Sequence, residues 1–320
     1  MKSIVITRPG GPEVLAVEER PVLEPGPGEI RVRVQSSALN RADVPQRMGS
    51  YPAPPGAPAD VPGPEYAGEG AGLWAVGNRV MGLVGGGGHA EYVVVHEREA
   101  IRIPQNCTVE EAAAIPEAFL TSYDALFRQL DLKVGERVLI HAIGSGVGTA
   151  ALQLARAAGA VTLGTSRTAE KLKRAEVLGL EVGIDTSRED LAEAVNQATY
   201  GSGVHAVMDL VGGKLLEASL RVLALRGRAI VVGTTAGSKA EIDLGLLLRR
   251  RLHLFGTVLR TRPLEEKIAL AREFSSSVLP LLSSGRIHPV VDSTFSFAEI
   301  RKAHARMESN ATFGKIVLTW

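Results

Sequence analysis

The sequence predicts an α/β protein in which a β-rich domain is interrupted by an inserted, doubly wound parallel-sheet domain. Three observations predict it. The first hundred residues set short apolar strands between proline and glycine clusters, the middle of the chain alternates strand with helix, and the last stretch returns to strands. At 320 residues the chain suffices for two domains of ordinary size.

The elements follow in order. Ile30 to Val34 alternates apolar and charged residues, as a half-buried strand does. Val80 to Val84 and Tyr92 to Val95 have the same character, and the turns Pro25 to Gly28, Pro52 to Gly56 and Gly85 to Gly88 separate them. Such short strands suit a barrel or sandwich. Val109 to Phe127 reads as a helix broken or kinked at Pro116. Then Arg137 to Ala142 (strand), Thr149 to Ala158 (helix), Ala160 to Gly164 (strand) and Ala169 to Leu178 (helix, stopped by Gly179) open an alternation. Val182 to Ile184 is the third strand, followed by a helix over Arg188 to Ala198. Val204 to Leu210, Ala229 to Val232 and Leu252 to Gly256 complete the strands, with a helix over Lys214 to Leu225. Strands spaced by helices imply right-handed crossovers and a parallel sheet. After Pro263 a long helix runs towards Leu282, and Val290 to Phe295 and Gly314 to Leu318 are strands that rejoin the first domain. The expected division is 1–118 with 259–320, and 119–258 as the insertion.

Composition excludes several classes. Hydrophobic residues at 45 % and charged residues at 22 % argue for a packed core rather than disorder. Lys plus Arg is 36 against 35 for Asp plus Glu, so charge suggests neither nucleic acid nor an anionic membrane as partner. Cys107 is the one cysteine, which rules out an internal disulfide and a cysteine-rich zinc lobe. No run approaches the ~18 apolar residues of a membrane span, and the N-terminus lacks the apolar core of a signal peptide. The default expectation is a reducing, cytoplasmic setting.

Val138 to Thr149 reads as strand, glycine-rich turn and helix start. Backbone N–H groups there, with the helix dipole, suit a pyrophosphate. Gly144 and Gly146 fit the G-x-G-x-x-G spacing, whereas the third position is Thr149 and glycine comes one residue earlier, at Gly148. About 20 residues on, where an NAD-selective site carries a carboxylate, the end of the second strand reads Ser166, Arg167, Thr168. Lys171 lies one turn into the next helix. These cations and hydroxyls suit a 2′-phosphate, so the expected cofactor is NADPH. Glu170 is close enough to pair with Arg167 or Lys171, which leaves open that they are ordinary surface charges.

Segments spread almost end to end then carry a resemblance: Ala38 to Asp43, Gln46 to Pro52, Ala114 to Thr121, His141 to Gly148, Leu210 to Gly213 and Gly314 to Leu318. The chain resembles the zinc-free, zeta-crystallin-like quinone oxidoreductases of the medium-chain dehydrogenase/reductase superfamily, above all the tumour-suppressor-inducible branch. The resemblance implies a GroES-like catalytic domain, a Rossmann cofactor domain and a homodimer. It implies that Gly146, Val147 and Gly148 carry the pyrophosphate and that Thr121 touches the nicotinamide end. Gly233, Thr234, Phe255, Gly256 and Thr257 would line the cofactor site, with Lys315 on its phosphates. Asn40, Asp43 and Tyr51 would surround the nicotinamide ring and the acceptor. Asn40 and Asp43 equally suit helix caps, and Tyr51 suits packing on the proline-rich turn. The sequence departs from the family where a tyrosine often supports the adenosine phosphate, here Thr186, and in a short turn at residues 70–77.

In zinc-dependent members of the superfamily a cysteine takes the place of Asn40, a histidine that of Pro64, and the third ligand falls near Glu117. Proline offers no side-chain ligand, so no metal is expected. His141 sits in a buried-strand pattern and reads as a core residue. Without a metal the acceptor must itself be electrophilic, as quinones and activated enones are; the cofactor brings the hydride and the protein the geometry. Two alternatives stand beside this reading: an enoyl-thioester reductase, and a non-catalytic NADPH- or RNA-binding protein.

Overall fold

The computed structural model describes residues 1–70 and 77–320; residues 71–76, most of the short turn noted above, lie outside the described residues. The chain divides into two units, Met1–Leu120 with Leu259–Trp320, and Thr121–Val258. The first break comes two residues later than residue 118.

Strands are numbered in chain order. The first unit holds β1 (Lys2–Ile6), β2 (Leu15–Glu19), β3 (Glu29–Leu39), β4 (Glu65–Gly70), β5 (Asn78–Leu83), β6 (Tyr92–His96) and β7 (Ile101–Arg102). The second holds β8 (Arg137–Ile140), β9 (Val161–Ser166), β10 (Val182–Asp185), β11 (Val204–Asp209), β12 (Leu223–Val231) and β13 (His253–Gly256). The chain then returns with β14 (Val291–Ser296) and β15 (Lys315–Thr319).

The helices are α1 (Asp43–Arg47), α2 (Val109–Ala113), α3 (Pro116–Tyr123), α4 (Gly146–Ala157), α5 (Ala169–Val177), α6 (Leu191–Ala198), α7 (Lys214–Arg221), α8 (Leu244–Arg250), α9 (Leu264–Ser277), α10 (Leu279–Ser283) and α11 (Ile300–Glu308). None among the described residues is long and apolar enough to cross a membrane.

In the first unit the sheet order is β14-β15-β3-β4-β5-β7, with β6 also on β3 and β1–β2 a separate hairpin. Ile316 to Thr319 of β15 run antiparallel to Ser36 to Leu39 of β3, so the C-terminal segment is a sheet partner of the N-terminal one. Period-2 alternation places Ile30, Val32 and Val34 inside with Tyr66, Val80 and Val93. A second cluster joins Ile4, Leu15 and Leu39 to Ile300, Met307, Ile316 and Leu318. Arg47, 1 % exposed, ties α1 to α11: Nη2 donates to Glu308 Oε1 at 2.8 Å, Nη1 to His304 Nδ1 at 3.0 Å, and Nε to Gly10 O at 2.9 Å.

The second unit is a six-stranded parallel sheet of order β10-β9-β8-β11-β12-β13. Counted from β8 this is 3-2-1-4-5-6, the Rossmann order. Its core is apolar because parallel strands are covered on both faces: Leu139, Leu163, Ile184 and Val207 pack with Leu191, Val195, Leu216 and Leu220 from the helices.

Several expected boundaries move for local reasons. The stretch from Val109 to Phe127 holds two α-helices, the first opened by a capping box of Thr108 and Glu111, the second opened by Pro116, whose missing N–H costs nothing at a first helical turn, and continued by a π-helical turn over Asp124–Gln129. The helix expected to reach Leu225 ends at Arg221, because Leu223 pairs with Val204 and starts β12 well before Ala229. The long C-terminal helix divides at Val278, before Pro280. Helices α8 and α11 were not foreseen; Asp243 caps α8 by accepting from Leu246 N.

The turn between β8 and α4 depends on Gly148. A Cβ there would lie 2.5 Å from Ala142 O and 2.8 Å from Ile143 O, so helix and strand meet only because it is absent. At Gly256 an added Cβ meets nothing within 4 Å. Gly148→Ala therefore lowers unfolding free energy by about 1–3 kcal/mol, while Gly256→Ala stays within about 0.5 kcal/mol of wild type, both by urea denaturation.

Candidate active site

The polar centre of the first unit forms where β3, β4 and β15 end beside α1 and α3. Asn40 follows β3, Glu65 opens β4, Lys315 opens β15 and Glu117 lies in the first turn of α3. Lys315, 5 % exposed, donates from Nζ to Leu39 O (2.8 Å), Asn40 Oδ1 (2.5 Å) and Glu65 Oε1 (2.6 Å). An ammonium has three N–H groups, so these acceptors saturate it. The expectation that Lys315 reaches cofactor phosphates is therefore not met in this arrangement, where its charge faces Glu65.

Asn40 is also fully engaged. Its Nδ2 donates to Glu65 Oε1 (2.7 Å) and to Ala38 O (3.2 Å), and its Oδ1 accepts from Lys315. Both amide hydrogens have partners, which leaves none for an acceptor molecule. Asp43 is 1 % exposed; Oδ2 accepts from Asn40 N (2.7 Å), Oδ1 from Gly63 N (3.3 Å), and His89 Nε2 stands 3.7 Å from Oδ2. Burial opposes its ionisation, but His89 and the Asn40 N–H hold the carboxyl below its ordinary value. Asn40 and Asp43 thus position the loop around them. Tyr51 differs: it is half-buried, its ring lies 5.2 Å from the Arg260 guanidinium, and its hydroxyl has no partner among the described residues.

Three residues that sequence reasoning did not assign complete this centre. Glu65 takes Lys315 and Asn40 on one oxygen and the Glu117 N–H on the other (2.8 Å), so a carboxylate sits at the N-terminus of α3. Glu117 is pushed up to about 7 by burial and then by the charges of Glu65 and Asp43, against Lys315 and Arg260. Arg260 donates to Gly85 O and Gln46 Oε1. Glu65 and Glu117 had a signal, since they adjoin the superfamily's ligand positions; Arg260 had none.

This donor set does not fit a catalytic zinc. Pro64 has no ligating atom, the Asn40 carboxamide is engaged on both sides, and an ammonium already stands between Asn40 and Glu65. Among the described residues no group of three or more His, Cys, Asp or Glu is arranged to hold a metal.

In the second unit the sequence-predicted cofactor residues gather at the carboxyl ends of the parallel strands, where open α/β sheets bind ligands. Gly146 and Val147 form the first turn of α4 behind Ser145, whose Oγ accepts from Gly148 N (3.0 Å). That bond and its close packing make Gly148 a structural residue, whereas the N–H groups of Gly146 and Val147 have no acceptor among the described residues. Arg167 and Thr168 follow β9 and are exposed; Ser166 Oγ accepts from Thr168 N (3.1 Å), and Lys171 lies in the first turn of α5. Thr186 follows β10 and donates to Ser166 O. Gly233 and Thr234 follow β12, and Phe255, Gly256 and Thr257 end β13, where Thr257 Oγ1 donates to Asp124 Oδ2 (3.0 Å). Thr121 is 6 % exposed and its Oγ1 is buried without a partner, a vacancy suited to a polar ligand group. His141 is a core residue, bridging Thr165 and Ser219.

The position of Glu117 has a measurable consequence. Its folded-state pKa, about 7, exceeds the ordinary 4.5, so the native chain holds this proton longer than the unfolded chain. Its contribution to stability is complete below pH 4.5 and is lost as pH rises through about 7. Glu117→Gln is then more stable than wild type above pH 7, by on the order of 2 kcal/mol once partial exposure is allowed for, and the difference vanishes near pH 4.5 in urea titrations.

Comparison with known proteins shows the family. Residues 26–105 match the alcohol dehydrogenase GroES-like domain and residues 146–276 the zinc-binding dehydrogenase family, whose name describes a metal that the donor set here does not fit. A quinone oxidoreductase of Pseudomonas aeruginosa is 34 % identical over 99 % of both chains. The structure of Escherichia coli quinone oxidoreductase complexed with NADPH superposes with a TM-score of 0.88 at 30 % identity, covering 100 % of each chain. A mycobacterial protein complexed with NADPH gives 0.89, also at 30 % and 100 % coverage of both. The chain belongs to the quinone oxidoreductases of the medium-chain dehydrogenase/reductase superfamily.

Proposed function

We propose that this protein is an NADPH-dependent quinone reductase, passing hydride to a quinone or similarly electrophilic acceptor without zinc. The observation that carries the reading is Lys315. Its ammonium fills the donor set around Asn40 and Glu65, so no Lewis acid polarises the acceptor and the acceptor must be electrophilic by itself. The relatives named quinone oxidoreductase and the NADPH complexes support the reading.

When bound, NADPH supplies the hydride. The chain's own residues bind and orient. The N–H groups of Gly146 and Val147 at the N-terminus of α4 take the pyrophosphate. Arg167, Thr168 and Lys171, with Thr186 beside them, take the 2′-phosphate; no carboxylate at the end of β9 competes for a ribose hydroxyl. Gly233, Thr234, Phe255, Gly256 and Thr257 line the cofactor, and Thr121 Oγ1 serves the nicotinamide end. Asn40 and Asp43 hold the acceptor side in shape, and the Tyr51 hydroxyl donates to the acceptor oxygen.

The reaction is tested by following NADPH oxidation against benzoquinones, ortho-quinones and a crotonyl thioester, repeated with NADH and with a zinc chelator. Quinones turn over, NADPH is preferred, and the chelator has no effect; turnover of the thioester alone would make the protein an enoyl reductase. Arg167→Ala raises the KM for NADPH about 10- to 100-fold, the worth of a charged hydrogen bond, and leaves that for NADH within about threefold.

The protein works as a homodimer through β13, the edge strand of the parallel sheet, beside which Leu244 and Leu248 of α8 are 68 % and 74 % exposed. Light scattering at micromolar concentration gives twice the chain mass; a monomer mass would refute this.

A further inference from the structure

We propose that Arg260 stabilises the oxyanion formed on the acceptor as hydride arrives, and so selects acceptors whose reduction places charge on oxygen. The inference rests on the quinone-reductase reading.

The guanidinium is fixed on two sides. Nε donates to Gly85 O at 2.6 Å and Nη2 to Gln46 Oε1 at 2.7 Å. Gln46 is itself 5 % exposed, and the guanidinium lies 5.2 Å from the centre of the Tyr51 ring. A planar group held at two edges over an aromatic face has little freedom left to lose. Among the described residues its third nitrogen, Nη1, has no hydrogen bond and the side chain forms no ion pair; the carboxyl that feels its charge, Glu117, is itself held towards its neutral form. Arginine carries five N–H groups, and only two are engaged here.

The other cation of this centre cannot take the role. Lys315 has an acceptor for each of its three N–H groups, one of them a carboxylate. Arg260 is half-buried, lies against the Tyr51 ring and keeps N–H groups without an acceptor among the described residues. A guanidinium held in place before the reaction, with N–H groups still to give, is the kind of donor that stabilises an oxyanion.

The step balances without further reagents. The C–H bond of the reduced nicotinamide breaks and its electron pair moves with the hydrogen to the acceptor. The acceptor's π electrons shift onto oxygen, leaving a hydroquinone monoanion, or an enolate from an enone, and oxidised NADP. Water then protonates the oxyanion. Arg260 acts on that anion and transfers no proton.

The test uses Arg260→Gln and Arg260→Lys in the full chain, with p-nitrophenol as a probe whose anion is coloured. Bound to wild type, the phenol ionises at a pH at least about one unit below its value in free solution, and Arg260→Gln removes that shift. In steady-state kinetics Arg260→Gln lowers kcat for an uncharged quinone about 10- to 100-fold, with KM within about threefold; Arg260→Lys recovers part of the loss. Equal titration of the probe on wild type and Arg260→Gln would overturn the proposal. So would a wild-type protein with no preference for phenolate, a result that needs no variant to fold. If wild type reduces no quinone, the quinone reading fails, while the phenolate titration still decides the role of Arg260.

Discussion

The first unit is organised around one buried ammonium. Lys315 brings the end of β3, the start of β4 and the start of β15 to a common point, although Asn40 and Glu65 precede it by 275 and 250 residues. Isolated charges in such a place are costly, and removing one partner of a buried pair typically costs about 3–5 kcal/mol. Here the charge is met on every side. The consequence reaches further than the pair, because Lys315 fixes the direction of the Asn40 carboxamide and Glu65 then receives the N–H of Glu117. One cation thus sets an amide, a carboxylate and the first turn of α3, the helix that carries Thr121.

The two units handle charge differently. In the second, the proposed phosphate site is made from the first N–H groups of α4, exposed Arg167, and the hydroxyls of Ser166 and Thr168. That suits a phosphate, which brings its own charge and displaces water. In the first, Lys315, Asn40, Asp43 and Glu65 are buried and already paired with one another or with backbone groups. Glu117 is the exception among the carboxyls. Glu65 and Asp43 have ordered donors; Glu117 has none among the described residues, is buried and feels the charges of both, so its negative form is disfavoured near neutrality.

The parallel sheet was legible because its strands are buried on both faces and therefore appear as short apolar runs, with stops such as Gly179 between them. The strand, glycine turn and helix start were legible, but not the packing duty of Gly148, which depends on the distance to Ala142 O. Boundaries failed where tertiary pairing overrode local preference: the helical pattern after Lys214 continues past Arg221, yet Leu223 is claimed by Val204. The site was partly legible. The sequence groups Asn40, Asp43 and Tyr51 together, whereas the structure shows Asn40 and Asp43 engaged on all sides and Tyr51 with a hydroxyl that has no partner among the described residues. Glu65 and Arg260 act through partners far away in sequence, Arg260 through residues 175 and 214 positions earlier, and no spacing rule reports such pairs.

On the proposed metal-free reading, Lys315 and Arg260 divide between them what a metal would do. A catalytic zinc combines two duties, tying its ligands together and presenting positive charge to the substrate. Lys315 does the first and is unable to do the second, since its N–H groups are all taken and Glu65 cancels its charge. Arg260 is held by two neutral acceptors that leave its charge intact. Separating the duties weakens the electrophilic pull, because a hydrogen-bonded guanidinium polarises an oxygen less than a bound divalent ion. A carbonyl that needs strong polarisation is then a poor acceptor, and one that already welcomes an electron pair is a good one. On the proposed reading, acceptor preference follows from which residue holds the scaffold and which is left to face the substrate.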